Sequence, residues 1–93
     1  MVTELERIAG INAQIAVLER QIDQMVAERS MLQHIDDDAK RDAAVSGSYD
    51  DRAEAKRTEA DVVRMYKQMA RMERTRSKLV ASRDRLIRKL AAG

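Results

Sequence analysis

Residues 43–53 read AAVSGSYDDRA, and within them Ser46-Gly47-Ser48 decides the architecture. The triplet stands almost at the midpoint of a 93-residue chain that has no proline and three glycines. Gly47 tolerates the left-handed backbone that commonly ends a helix. Ser48, with Asp51 three residues on, supplies an N-cap for a following helix. The stretch therefore predicts an αα-hairpin turn over residues 46–48, between a helix over about 3–45 and a second over about 49–91. A continuous helix with one flexible point is the alternative, but it leaves both apolar faces in water.

Outward from the turn, each arm carries a seam. Thr3 followed by Glu6 has capping-box spacing and opens the first helix. Ile8, Ile11, Ile15, Leu18, Ile22, Met25, Leu32 and Ala39 then recur at alternating steps of three and four, the heptad rule, with Arg29 and Asp36 at the two a positions where it lapses. The second arm repeats the register through Ala55, Val62, Met65, Met69, Met72, Leu79, Leu86 and Leu90, with Thr58, Arg76 and Arg83 as polar members. Folding about Gly47 pairs positions whose numbers sum to roughly 94 or 95. Ile22 then faces Met72, Ile15 faces Leu79 and Ile8 faces Leu86. Glu19 falls near Arg76, and Arg29 near Tyr66. Gly10, outward on the first helix, weakens it by about 1 kcal/mol relative to alanine.

Leu5, Val26 and Ile35 on the first arm and Tyr66, Val80 and Ile87 on the second flank these seams and widen them beyond a strict two-stranded stripe. A two-helix hairpin buries one side of each helix, and long helices need tertiary packing to persist. The flank therefore suggests a homodimer, most simply an antiparallel four-helix bundle, or docking on a different protein.

Composition agrees with an all-α coiled-coil hairpin forming a single domain over 1–93. Charged residues make up 37% of the chain and two tyrosines are its only aromatics, so a thick globular core cannot be filled. The absence of cysteine removes disulfides, thiolate metal sites and a cysteine nucleophile. No apolar run approaches the ~18 residues of a membrane span, and the N-terminus lacks the pattern of a signal peptide. A cytoplasmic location is the default expectation.

Charge is divided along the chain. Residues 1–44 hold nine acids and five bases, and residues 45–93 seven acids and thirteen bases, so a net +2 conceals halves of −4 and +6. On the second arm Arg64, Arg71, Lys78 and Arg85 recur every seven residues, with Lys67, Arg74 and Arg88 beside them, all facing away from the seam. Such a stripe is either an ordinary solvated face or a surface for an anionic partner: nucleic acid, acidic protein or lipid headgroups. Single-strand binding would normally add stacking aromatics, whereas a duplex backbone needs only positive charge. The turn end has the opposite sign: Asp36, Asp37, Asp38, Asp42, Asp50, Asp51 and Glu54 surround it. Helix chemistry accounts for much of this, through Asp36–Lys40 and Asp37–Arg41 pairs and through Asp50 and Asp51 at a helix N-terminus.

With Tyr49–Ala53 (YDDRA) at its tip, the acidic hairpin resembles in outline the Gre and DksA-type factors that reach into the secondary channel of bacterial RNA polymerase. That resemblance implies tip carboxylates acting near the polymerase's catalytic metal. The sequence departs from the pattern at Ser48, where a DksA-type tip needs its first acid, and it has no zinc-binding cysteines. The hairpin outline is also similar to the Rop family of RNA-binding dimers.

Catalytic constellations are missing. No Gly-rich phosphate loop, Ser-His-Asp set, Cys-His set or zinc motif occurs. His34, with Asp37 and Asp38 one turn later, has the donor types of a weak surface metal site, but one imidazole and mobile carboxylates determine a metal poorly, and an unliganded histidine is expected. Met65, Met69 and Met72 read as flexible core filler that also suits an adaptable binding face. The expected function is that of a non-enzymatic interaction or scaffolding module without cofactors, with a nucleic-acid-associated or transcription-regulating hairpin as the alternative.

Overall fold

The computed structural model describes residues 2–93. Two helices account for nearly all of them: α1 over Glu4–Ser46 and α2 over Tyr49–Ala92, with no strand among the described residues. α1 starts where Thr3 can cap it. The Thr3 Oγ1 accepts the Glu6 N–H at 3.1 Å, and the Thr3 carbonyl accepts the Arg7 N–H at 3.0 Å. The first of these occupies a donor that the first turn of a helix otherwise leaves without a partner, and the second is the first bond of the helical ladder.

The break is narrower than the three residues expected. Ser46 is still helical, and only Gly47 and Ser48 lie between the helices. Gly47 takes φ 63°, the left-handed conformation, and its N–H closes the last turn of α1 on the Ala43 carbonyl at 2.9 Å. Ser48 caps α2: its Oγ accepts the Asp51 N–H at 3.1 Å and its carbonyl the Arg52 N–H at 3.1 Å. Ser46 Oγ accepts the Ser48 N–H at 3.1 Å and donates to the Asp51 carboxylate. Both serines of the triplet thus bond the loop backbone, while the glycine supplies the reversal.

Packing divides the chain into two compact units, one of Met1–Asp23 with Ala70–Gly93 and one of Gln24–Met69. In the first unit Arg83 Nη1 donates to Asn12 Oδ1 at 3.2 Å, and Lys89 pairs with Glu4 at 3.0 Å. In the second, Arg29 lies 5.4 Å from the Tyr66 ring centroid and Thr58 reaches Asp36 at 2.8 Å. Within each unit, α2 numbers fall as α1 numbers rise, so the helices pair antiparallel in the register that folding about Gly47 dictates.

The expected seam is the buried layer. Ile15 and Ile22 are buried in the first unit, and Met25, Ala39, Val62 and Met69 in the second. Ile8, Ile11, Leu18, Leu32, Met65, Met72, Leu79 and Leu86 are half-buried beside them, while Leu90, near the end of α2, is exposed. The polar lapses fall on the same face: Arg29, Arg76 and Arg83 are half-buried, and Asp36 and Thr58 are more deeply buried than most of the apolar core. Around Gly10 no atom stands within 4 Å of where a Cβ would be, so it serves no close approach within the chain.

Two expected contacts differ. Glu19 and Arg76 form no ion pair among the described residues. Arg41 pairs with Asp38 at 3.5 Å rather than with Asp37, whose Oδ1 accepts the Gln33 side-chain amide at 3.1 Å. The expected Arg29–Tyr66 contact is present, and Tyr66 stays 48% exposed on the flank with its ring covered by Arg29. An amphipathic ring with a cation over its face can remain at the rim, where its hydroxyl stays hydrated.

Candidate functional site

The most organised polar cluster lies within the second unit. Asp36 is 2% exposed at an a position of α1. Its Oδ2 meets Lys40 Nζ at 2.9 Å, one helical turn on, and its Oδ1 accepts the Thr58 hydroxyl of α2 at 2.8 Å. The Ala55 carbonyl, 3.0 Å from Thr58 Oγ1, is the competing acceptor, but the one hydroxyl proton favours the charged and nearer carboxylate. Lys40 extends toward solvent and also comes within 4.0 Å of Glu59.

The Lys40 hydrogen bond is the largest influence on Asp36 and holds its carboxyl below the ordinary value of 3.8. Burial opposes this, and the Thr58 bond and the Lys40 charge add to it. Lys40 is raised above its ordinary 10.5, chiefly by the Asp36 hydrogen bond and against some burial, with Asp36, Glu59 and Asp37 adding their charges. No buried side-chain N or O atom among the described residues lacks a partner. The cluster is therefore a satisfied ionic contact between helices and presents no open coordination position.

Asp36 thus leaves the acidic turn end. Of the other acids there, Asp37, Asp38, Asp42, Asp50 and Glu54 are exposed, while Asp51 is half-buried and tied to Ser46 and Ser48. His34 is exposed, and no group of three His, Cys, Asp or Glu among the described residues is placed to hold a metal ion.

Paired and unpaired bases occur in both units. In the second unit, Arg57 is held by Glu54 and Arg64 by Asp61, each three residues earlier on α2, while Arg52, Lys56 and Lys67 are exposed and in no ion pair of the described residues. In the first unit Arg71, Arg74, Lys78, Arg85 and Arg88 are all exposed, and none belongs to an ion pair of the described residues. The cause is legible in the sequence. Glu54 and Asp61 are followed at seven-residue intervals by Gln68, Thr75 and Ser82, so Arg71, Lys78 and Arg85 find neutral side chains one turn back. Arg85 accordingly donates to Ser82 Oγ at 3.1 Å. Asp84, within reach of Arg88 by spacing, instead engages Arg83 at 3.2 Å.

The apolar flank is the remaining surface. With Ile15 and Val62 as a positions, Leu5 and Val26 on α1 and Tyr66, Val80 and Ile87 on α2 all fall at e. In the first unit Leu5 and Ile87 are 69% and 45% exposed, and in the second Val26 is 40% exposed. Val80 is half-buried. The same flank also carries Asn12, Glu19, Gln33 and Lys40 on α1 and Glu59 and Glu73 on α2, and the opposite flank, at g, is polar except for Ile35, which is 47% exposed. No helix among the described residues is long and apolar enough to cross a membrane.

The chain matches no protein-family model, no curated protein and no solved structure.

Proposed function

We propose that this chain is a non-enzymatic helical-hairpin interaction module, acting through homo-oligomerisation or by docking on a partner protein. The observation that carries this reading is the imbalance between core and surface. Among the described residues, twelve large hydrophobic side chains are exposed, against six apolar residues in the core. Single exposed apolar residues are ordinary on a protein surface, but four of the twelve, Leu5, Val26, Tyr66 and Ile87, share the e flank with half-buried Val80, whereas Ile35 is the one apolar residue at g.

A second copy covering the flank would form the four-helix arrangement that heptad-bearing hairpins commonly adopt.

Light scattering tests the proposal. The wild type is expected at twice 10.6 kDa or more, and a variant with Leu5→Ser, Val26→Ser, Tyr66→Ser and Ile87→Ser at 10.6 kDa with its helicity retained. A wild type that stays monomeric at every concentration overturns homo-oligomerisation, and a quadruple variant that keeps the wild-type mass overturns the flank.

A further inference from the structure

We infer that the outer face of α2 within the first unit, formed by Arg71, Arg74, Lys78, Arg85 and Arg88, binds the phosphate backbone of a nucleic-acid duplex. This face is separate from the apolar flank, and the inference does not rest on the proposed oligomer.

The carrying observation is the density of bases without internal neutralisation. All five side chains are exposed and none is in an ion pair among the described residues; the second unit also has unpaired bases on α2, Arg52, Lys56 and Lys67, but Arg57 and Arg64 between them are held by Glu54 and Asp61. Residues 70–93 hold eight bases and two acids. Of those acids, Asp84 is engaged by Arg83, and Glu73 pairs with none of the five. Arg71 with Arg74, Arg74 with Lys78 and Arg85 with Arg88 are like charges at three- and four-residue spacing, an arrangement that weakens a helix until anions intervene. Arg71, Lys78 and Arg85 stand about 10.5 Å apart along the helix axis, with Arg74 and Arg88 on the neighbouring line. The result is a linear positive surface of the kind that follows a linear polyanion.

The chemistry of the face selects among anions. Four of the five groups are guanidiniums, whose planar fork suits phosphate oxygens. The first unit contains neither tyrosine, and the chain has no Trp or Phe, so the base-stacking platform of a single-strand binder is missing there. Between the basic positions the face offers Ala81 and no bulky apolar side chain. It therefore has no anchor of the kind that dominates protein interfaces and nothing to insert into a lipid surface. A duplex backbone needs only the charges.

The test is a fluorescence-anisotropy titration of a labelled random-sequence DNA duplex at increasing salt. Five neutralised phosphates give a slope of log affinity against log salt of about −4.5, or roughly 500-fold weaker binding between about 50 and 200 mM salt. The variant with Gln at all five positions should lose measurable binding while keeping its helical circular dichroism. If it does not fold, Arg71→Gln and Lys78→Gln made singly should each flatten the slope by about one. The control with Arg57→Gln and Arg64→Gln removes two paired bases and should bind within about threefold of wild type.

No duplex binding at low salt overturns the inference. So does a control that loses as much affinity as the five-site variant. Tighter binding to polyglutamate of matched charge, or to phosphatidylserine vesicles, would assign the face to an acidic protein or a membrane instead.

Discussion

Truncating one seam residue and one flank residue separates folding from assembly. Met69 is 5% exposed in the second unit, whereas Ile87 is 45% exposed in the first. Met69→Ala removes buried atoms and leaves a void; such core truncations cost about 2–5 kcal/mol, less where the surroundings can collapse. A layer formed by one helix against another collapses readily, which places Met69→Ala near the lower end, about 2–3 kcal/mol. For a domain of this size each kcal/mol lowers Tm by roughly 4–8 °C. Ile87→Ala removes side-chain atoms that are already half in water, so its effect in dilute solution should stay within about 0.5 kcal/mol.

Urea denaturation followed by circular dichroism, repeated over a hundredfold range of protein concentration, reads both effects, because stability drawn from assembly rises with protomer concentration. Met69→Ala should lower the midpoint at every concentration. Ile87→Ala should remove the concentration dependence and leave the dilute midpoint in place. Equal losses for the two variants in dilute solution, or a Met69→Ala midpoint within error of wild type, would refute the division between seam and flank.

Thr58→Val keeps the shape of a buried side chain but removes the donor to Asp36 Oδ1, so it should destabilise the protein more than Thr58→Ser, and in a double-mutant cycle with Asp36→Asn the two losses should not add. Asp36 has a depressed folded-state pKa, so its contribution is complete above its ordinary 3.8 and disappears as pH falls through the lower folded value; Lys40 has a raised one, so its contribution is complete below 10.5 and disappears as pH rises through the higher folded value. Denaturation midpoints should therefore show these two contributions declining only at those extremes in wild type, and both effects should shrink in Asp36→Asn. Gly47→Ala meets no steric obstacle but must hold φ 63°, which costs about 1–2 kcal/mol and should appear as a lower urea midpoint.

Much of the fold can be read from Ser46-Gly47-Ser48 and the two heptad seams, because both signals are local or periodic and each excludes most alternatives. Register followed from the turn: placing Gly47 at the reversal sets Arg29 beside Tyr66. The same register sets Asp36 across from Thr58, so the two polar lapses could have been matched before the contact was seen. Their depth of burial could not, since it depends on how closely neighbouring seam residues exclude water. The split of the basic stripe was also written in the chain, in the change from Glu54 and Asp61 to Gln68, Thr75 and Ser82. A count of bases conceals it, because paired and unpaired cations contribute equally to net charge. Which of Asp37 and Asp38 engages Arg41 was not legible: exposed pairs at three- and four-residue spacing differ by only a few tenths of a kcal/mol.

Burying Asp36 in an apolar seam forgoes stability that a hydrophobic pair often provides, and a fixed alignment is what it would supply in exchange. In the heptad register a slide of α2 by one repeat sets Asp36 against Met65 or Asp51, an apolar or a like-charged neighbour, in place of Thr58. The apolar residues of the second unit impose no such penalty, because Met65, Met69 and Val62 are interchangeable to a facing Met25 or Leu32. Replacing both members, as Asp36→Leu with Thr58→Val, should preserve or raise the urea midpoint while loosening the register. Spin labels at the exposed Ala27 and Gln68, both in the second unit, would read this as a broadened or multiple distance distribution where the wild type shows one. A single narrow distribution in the double variant would show that the apolar seam aligns itself, and the buried carboxylate would then need another explanation.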